Sequence, residues 1–114
     1  MRTNKMLKGN DMEYIVGVDY KFQSEFPSLD KAEVGDLVLV VYDYMAMPKE
    51  ERKNNLVAYS KNGNKIWVAE GPGKSVSSYY KITSTNPLIA NSFCSHKCWL
   101  NPINGKLLSM EFYK

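Results

Sequence analysis

The feature that most constrains the fold is a pair of β-type runs that flank an Asn-Gly dipeptide. Residues 56–60 and 65–69 are rich in apolar and β-branched residues, and the polar segment 61–64 between them contains Asn62 and Gly63. Asn-Gly fits the two positive-φ positions of a type I′ turn, whose twist matches that of two paired antiparallel strands. The sequence therefore predicts a β-hairpin here, and any fold of the chain must accommodate it.

Comparable runs occupy much of the remaining chain. The strongest is residues 37–44, whose near-continuous apolar and β-branched content predicts a central strand covered on both faces. Residues 22–29, which Pro27 interrupts, predict only an irregular segment or an edge strand. Further runs with the composition of strands occupy residues 14–18, 78–84, 88–93, 96–100 and 106–113.

Turn signals separate these runs about every eight to twelve residues from residue 56 onward, which is the spacing of an antiparallel meander. We therefore predict an all-β fold, a single antiparallel meander of about seven short strands that forms a sandwich, a half-barrel or one strongly twisted sheet. Pro48 and the charged residues after it predict at most one short helical turn, near residues 48–53. That segment is too short and too polar to be a core helix.

Length and composition favour one globular unit. A chain of 114 residues with 44% hydrophobic and 24% charged residues has the size and composition of one folded domain. Residues 1–13 carry no sustained periodicity. We therefore predict a loose N-terminal leader over residues 1–13 and a single β domain over residues 14–114.

The charge and hydropathy of the chain limit its partners. A net charge of +3 is well below the excess that proteins usually carry when they bind nucleic acids by neutralising phosphates. No apolar run reaches the roughly 18–20 residues that are required to cross a bilayer. The basic N-terminus also lacks the apolar stretch of a signal peptide. We therefore expect no membrane partner and a cytoplasmic location.

Two segments suggest phosphate or metal binding without meeting the requirements of such sites. Residues 71–75 end like a P-loop, but Val68 stands where that motif has glycine, and β-type sequence follows where it has a helix. On one continuous strand Cys94 and Cys98 would lie about 13 Å apart, at roughly 3.3 Å per residue, which excludes a shared ion and a disulfide. If the chain turns between them, a disulfide or a metal site stays open, although two thiols are favoured.

Catalytic constellations are also missing from the pattern. His96 is the only histidine, and a Cys-His pair on adjacent positions of a hairpin would be exposed rather than held in a pocket. Glu50 and Glu51 are the only clustered carboxylates, and their charged neighbours indicate a solvated surface. We predict that the protein is not an enzyme and has no catalytic residue, metal site or cofactor.

The Asn-Gly hairpin is echoed later in the chain. Residues 57–67 and 98–108 each consist of a strand, a polar turn containing Asn-Gly, and a second strand that opens with lysine and apolar residues. This pattern resembles the outer hairpins of blades in quinoprotein-type β-propellers. The resemblance implies β architecture but no quinone site, because a chain shorter than three blades of about forty residues cannot close a propeller.

Residues 56–114 also resemble small single-domain all-β bacterial proteins of the toxin-immunity type. The resemblance rests on the Asn-Gly hairpin, the tyrosine-rich strand at Tyr79 and Tyr80, and the closing hairpin around Pro102 and Gly105. It implies an all-β architecture and a protein partner. It assigns no functional residue.

Aromatic residues in excess of what a small core requires are the remaining signal for function. Tyrosine and tryptophan often anchor protein interfaces, although core packing is the alternative. We expect Trp99 and Tyr79 to be exposed, an assignment that a register slip of one residue would reverse. The predicted partner-binding residues are Tyr79, Tyr80, His96, Lys97 and Trp99.

The leading hypothesis is a non-enzymatic protein-binding domain, most concretely an immunity or inhibitor protein that binds and neutralises a bacterial toxin domain. Because the chain is mildly basic, such a toxin would present an acidic or neutral surface. One alternative is a β domain that binds single-stranded nucleic acid by stacking bases on Tyr79, Tyr80 and Trp99. The lysines assigned to the nucleic-acid backbone are Lys74, Lys81 and Lys97. A third hypothesis is a small-ligand or accessory binding module with an apolar cavity.

Overall fold

The computed structural model describes residues 13–72 and 77–112, and these segments form β-strands and two short 3₁₀ helices. The predicted leader, residues 1–13, lies outside the described residues except for Glu13. No helix within the described ranges has the length and apolarity needed to span a membrane. The strands are β1 Tyr14–Val16, β2 Lys21–Gln23, β3 Ser28–Val34, β4 Leu37–Tyr42, β5 Leu56–Ser60, β6 Lys65–Val68, β7 Tyr79–Thr85, β8 Leu88–Ser92, β9 His96–Leu100 and β10 Leu107–Phe112.

The strands form three antiparallel sheets. Strands β1 and β2 pair as a hairpin, β3 to β6 form the N-terminal sheet, and β7 to β10 form the C-terminal sheet. In both four-stranded sheets the spatial order follows the chain order, so each sheet is a meander. The predicted all-β class is confirmed, but the chain forms two successive meanders and a hairpin rather than one continuous meander of seven strands.

The central strand β4 is covered on both faces, as its apolar sequence predicted. One face contributes Leu39 and Val41 to a core shared with the C-terminal sheet. The other face contributes Val38, Val40 and Tyr42 to a second core that is closed by the β1–β2 hairpin. Because side chains alternate along a strand, one continuous apolar run supplies both cores.

The predicted hairpin around Asn62-Gly63 is formed by β5 and β6. Its turn is not type I′, because Gly63 has φ +88° whereas Asn62 is not among the described residues with positive φ. The N–H of Gly63 donates to the Ser60 carbonyl at 2.9 Å, and the N–H of Ser60 donates to the Asn64 carbonyl at 2.8 Å. These contacts describe a longer hairpin loop, in which a tight turn is followed by a left-handed glycine.

The sequence echo is a structural repeat. The hairpin β5–β6 supplies the last two strands of the N-terminal sheet, and β9–β10 supplies the last two strands of the C-terminal sheet. Each loop contains a left-handed glycine, Gly63 at φ +88° and Gly105 at φ +75°. The two hairpins therefore occupy equivalent positions in two similar sheets.

The connection from β4 to β5 contains the 3₁₀ helices Tyr44–Ala46 and Lys49–Asn54. Asp43 caps the first, because its carboxylate accepts the N–H of Met45 at 3.0 Å. The second coincides with the helical turn that the sequence predicted near residues 48–53, and Pro48 immediately precedes it. This connection carries polar and aromatic side chains to one end of the C-terminal sheet.

Candidate functional site

Five ring-bearing side chains gather at one end of the C-terminal sheet, which we call the aromatic end. Because neighbouring strands are antiparallel, the starts of β7 and β9 and the ends of β8 and β10 lie at the same end of the sheet. The first 3₁₀ helix, in the connection that follows β4, adds a tyrosine. The aromatic end consists of Tyr44, Tyr80, Phe93, His96 and Phe112.

Phe93 lies between two tyrosines. Its ring centroid is 5.0 Å from that of Tyr44 at an interplanar angle of 63°, and 4.9 Å from that of Tyr80 at 43°. His96 and Phe112 form a second pair at 5.5 Å and 61°. Edge-on and tilted contacts at these distances are favourable for aromatic rings. Phe93 nevertheless remains 51% exposed and Phe112 64% exposed.

The tight turn between β8 and β9 fixes the position of Phe93. Ser95 adopts φ +66°, and its N–H donates to the Ser92 carbonyl at 3.1 Å. The N–H of Phe93 donates to the Ser78 carbonyl at 3.0 Å, which ties the turn to the segment that precedes β7. An exposed apolar ring is thus held on an ordered turn instead of being folded into the core.

A cavity of about 280 Å³ lies beside Phe93. The second 3₁₀ helix, the β8–β9 turn and the segment before β7 contribute to it. Two hydrogen bonds hold Arg52 in place. Its Nε donates to the Met47 carbonyl at 3.1 Å, and its backbone carbonyl accepts the Ser78 hydroxyl at 2.7 Å. The lining side chains are Tyr44, Lys49, Arg52, Ser77, Ser78, Phe93 and Cys94.

The charge of this lining is positive among the residues that the structure describes. Of these, Lys49 and Arg52 are the charged members, and no carboxylate is included. Neither cation forms a salt bridge within the described parts of the chain, where the ion pairs are Lys61–Asp19 and Lys65–Glu25. The cavity is therefore suited to an anionic group.

The two cysteines occupy different environments. Cys94 is an exposed thiol in the cavity lining, whereas Cys98 is a buried thiol in the core. Burial raises the pKa of the Cys98 thiol to about 11, although a hydrogen bond with Tyr79 opposes that shift. Across residues 13–72 and 77–112, no three His, Cys, Asp or Glu side chains are grouped closely enough to hold a metal ion.

Tyr79 does not have the exposure that we predicted. It is 0% exposed, and its hydroxyl donates to the Glu70 carbonyl at 2.6 Å. The register explains the error: Tyr79 pairs with Ser92 and Lys81 pairs with Asn91, with a bulge between the two pairs. The bulge changes the face on which successive side chains lie, so Tyr79 points into the core.

The remaining predicted residues divide between two surfaces. Tyr80 and His96 belong to the aromatic end. Lys97 and Trp99 are half-buried and alternate along β9 with the core residue Cys98, so they lie on the outer face of the C-terminal sheet, away from the N-terminal sheet. The predicted set is therefore not a single site.

The structure also rearranges the predicted platform for stacking bases. Lys81 and Lys97 share the outer face with Trp99, because both lysines pair with Asn91 while Trp99 pairs with Ile89. Tyr79 is buried in the core and therefore cannot stack on a base. The three aromatic residues do not share a face, and Lys74 lies outside the described residues.

Several residues of the site were missed at the level of sequence. Phe93 lay at the end of the predicted strand run 88–93, and its sequence alone did not separate it from the core residues of that run. Arg52 lay in a charged segment that indicated only a solvated surface, and Tyr44 and Phe112 lay at strand ends without a distinguishing pattern. Ser77 lies two positions after the P-loop-like segment 71–75, of which residues 73–75 lie outside the described part of the chain.

Comparison with known proteins supports the repeat. No curated protein matches the sequence. Among solved structures, the crystal structure of BamB from Moraxella catarrhalis, a quinoprotein-like β-propeller, is similar with a TM-score of 0.55 and 11% sequence identity. The match covers 97% of this chain but only 38% of that protein. The predicted resemblance to propeller blades thus receives weak support, and it concerns the fold alone.

The toxin-immunity resemblance receives no such support from these matches. A family model covers residues 14–112, which include all ten described strands. The chain accordingly belongs to the family described as Domain of unknown function (DUF7957).

Proposed function

We propose that the chain is a non-enzymatic protein-binding module that contacts its partner through the aromatic end. The observation that carries this proposal is the exposure of Phe93 and Phe112, at 51% and 64%, at the same end of one sheet. Exposed aromatic rings in an ordered setting are typical of the residues that dominate binding energy at protein interfaces.

The order of the aromatic end supports this role. Phe93 is packed between Tyr44 and Tyr80, so little side-chain freedom remains to be lost when a partner covers it. Binding surfaces that are organised before contact lose less conformational entropy on association. The surface is therefore prepared for a partner that has an apolar patch of similar size.

Two positive side chains beside the aromatic end indicate the charge that we expect at the edge of the partner's surface. Lys49 and Arg52 lie next to Tyr44 and Phe93 in the same cavity lining. Opposite charges at the edge of an interface accelerate association and select among partners. We expect the partner to combine an apolar centre with acidic residues at its edge.

A toxin domain that the chain neutralises is the narrower form of this proposal. Such a toxin would need an acidic surface beside the apolar contact, because Lys49 and Arg52 lie next to Tyr44 and Phe93. The test is to express a cognate toxin in cells together with the Phe93→Ser variant of this protein. Loss of protection relative to the parent protein would support the narrower form. Full protection by that variant would count against it.

A photocrosslinking experiment tests the general proposal. A photoreactive phenylalanine analogue is placed at position 93 and, as a matched control, at position 103, where Ile103 is 81% exposed in the β9–β10 loop at the opposite end of the sheet. We expect a protein adduct from position 93 and none from position 103. Equal adducts from both positions would refute the assignment of the surface.

Affinity measurements with the captured partner complete the test. Phe93→Ser and Phe112→Ser should each weaken binding at least about tenfold, which is the range of hot-spot residues. Ile103→Ser should change the affinity less than about twofold, because a residue outside an interface contributes little. All three variants must first show unchanged thermal unfolding.

A further inference from the structure

We propose that the cavity beside Phe93 binds a small organic carboxylate whose acid group is attached to an aromatic or apolar body. This assignment goes beyond the protein-binding role, since it concerns a small molecule and stands or falls independently of any protein partner. It is carried by three features of the lining that the described residues show: a buried hydroxyl with no hydrogen-bond partner, two cations that form no salt bridge, and an aromatic wall.

The first feature is Ser77. Ser77 is 5% exposed, and its buried Oγ forms no hydrogen bond with any described residue. A buried hydroxyl without a partner costs free energy in the folded protein. Ser77 belongs to the cavity lining, so an oxygen atom of a ligand in the cavity would supply the missing acceptor.

The neighbouring serine differs from Ser77, because its hydroxyl already has a hydrogen-bond partner. Ser78 lines the same cavity, but its Oγ donates to the Arg52 carbonyl at 2.7 Å. Ser78 therefore stabilises the cavity lining through its hydrogen bond, and Ser77 is the serine whose hydroxyl we assign to the ligand. The pair provides a matched comparison within the chain.

The second feature is the pair of cations. The Nε of Arg52 is engaged by the Met47 carbonyl at 3.1 Å, which orients the guanidinium group. The terminal nitrogens of a guanidinium group match the geometry of a carboxylate, and Lys49 adds a second positive charge. A carboxylate placed between Arg52 and Ser77 would satisfy both groups at once.

The third feature determines the body of the ligand. Tyr44 and Phe93 are aromatic members of the lining, with their ring centroids 5.0 Å apart. The cavity volume of about 280 Å³ lies just below the range of roughly 300–1,000 Å³ for drug-sized ligands. One ring with a short acid arm fits this size, whereas a nucleotide or a larger cofactor does not.

The test uses phenylacetate as the probe, with phenylacetamide as its uncharged analogue and inorganic phosphate as an anion without an apolar body. Cys94 is an exposed thiol in the cavity lining, so protection of Cys94 from alkylation reports occupancy. We expect phenylacetate to protect saturably, and the amide to require at least about tenfold higher concentration. Phosphate should not protect in the same range.

Variants separate binding from folding. Ser77→Ala should weaken phenylacetate binding at least about threefold while leaving the unliganded protein as stable as the parent or more stable, because it removes a hydroxyl without a partner. Ser78→Ala should instead lower the melting temperature, since it breaks an existing hydrogen bond. Arg52→Gln should abolish the preference for acid over amide.

Three results would overturn the proposal. They are protection by phenylacetamide equal to that by phenylacetate, protection by phosphate alone, and unchanged phenylacetate binding in both Ser77→Ala and Arg52→Gln. Chemical-shift mapping provides a second measurement that does not depend on Cys94. In that measurement phenylacetate should perturb the amides of Ser77, Ser78 and Phe93, but not that of Ile103.

Discussion

The side chain of Asn55 pairs with the backbone of Tyr79 as a neighbouring strand would. Its Nδ2 donates to the Tyr79 carbonyl at 2.8 Å, and its Oδ1 accepts the Tyr79 N–H at 2.9 Å. The same Nδ2 also donates to the carbonyl of Tyr42, the last residue of β4, at 2.7 Å. One fully buried amide thus joins the two four-stranded sheets at the aromatic end.

Replacing Asn55 with alanine should therefore be strongly destabilising. The substitution leaves the N–H of Tyr79 and the carbonyls of Tyr42 and Tyr79 without these partners in a buried setting. Buried groups that lose a partner cost about 1–3 kcal/mol each, so we expect a loss of about 3 kcal/mol or more in the free energy of unfolding. Urea denaturation measures this loss.

The exposed Asn62, which lies in the β5–β6 loop, provides the matched control. Asn62→Ala should change the free energy of unfolding by no more than about 0.5 kcal/mol, as is usual at surface positions. Similar losses in the two variants would mean that the Asn55 amide does not join the sheets as described.

A second prediction concerns the contact between Trp67 and Gly105, which joins the two repeated hairpins. A Cβ atom at Gly105 would lie 2.4 Å from Cε3 of Trp67, and φ at this position is +75°. Gly105→Ala must therefore displace the indole and adopt an unfavourable backbone conformation. We expect a loss of about 3 kcal/mol in the free energy of unfolding, with a change in the tryptophan fluorescence spectrum.

A substitution at Gly35 separates the cost of the backbone conformation from the cost of the clash with Trp67. Its φ is +59°, but a Cβ atom there would meet nothing within 4 Å. Gly35→Ala should therefore cost only the backbone penalty, about 1 kcal/mol. If both alanine variants lose the same stability, the close packing of Gly105 on Trp67 contributes nothing measurable.

The sequence predicted those parts of the fold that depend on local patterns. The apolar run of β4 and the Asn-Gly turn between β5 and β6 were both recognisable, because burial and turn chemistry leave a direct signature. Strand β3, Ser28–Val34, was not predicted as a strand. It is an edge strand with no fully buried residue, so neither alternation nor an apolar run marked it.

The candidate site was harder to predict because its parts come from separate segments. Tyr44 contacts Phe93 only when the connection after β4 reaches the C-terminal sheet, and Phe112 lies at the same end only because the ends of the strands are aligned. The assignment of Tyr79 failed for a different reason, since one bulge in β7 reverses which side chains point inward. A bulge of this kind has no clear signature in the local sequence.

A third prediction follows from a buried pair of tyrosines. The hydroxyls of Tyr42 and Tyr59 lie 2.6 Å apart, and that of Tyr59 donates to Oε1 of Glu25 at 2.9 Å. Burial raises the pKa of both phenols above the usual value near 10. Folding therefore favours their protonated form, so the stability that they contribute is complete below about pH 10 and is lost as the pH rises further.

We expect alkaline unfolding to be accompanied by late tyrosine ionisation. Absorbance at 295 nm and circular dichroism should be followed together as the pH is raised above 10. Part of the tyrosinate signal should appear only when the strand signal disappears, and that part should shrink in a Tyr59→Phe variant. Ionisation of all eight tyrosines in the folded state would contradict the buried network.

The final prediction concerns the two thiols. Cys94 is exposed, whereas Cys98 is buried and its pKa is raised to about 11 by that burial. At pH 8 only roughly one in a thousand molecules would thus carry Cys98 as the thiolate, which is the reactive form of cysteine. We therefore expect one thiol to react rapidly with a disulfide reagent in the native protein and two to react in denaturant.

Substitution identifies which thiol reacts. Cys94→Ser should remove the rapid phase completely, while Cys98→Ala should retain it but lower stability, because Cys98 packs in the core beside Leu100. A rapid phase that persists in Cys94→Ser would mean that the C-terminal sheet opens readily enough to expose Cys98. The rate of that phase would then measure local opening of β9, and the cavity beside Phe93 would not be a fixed feature of the fold.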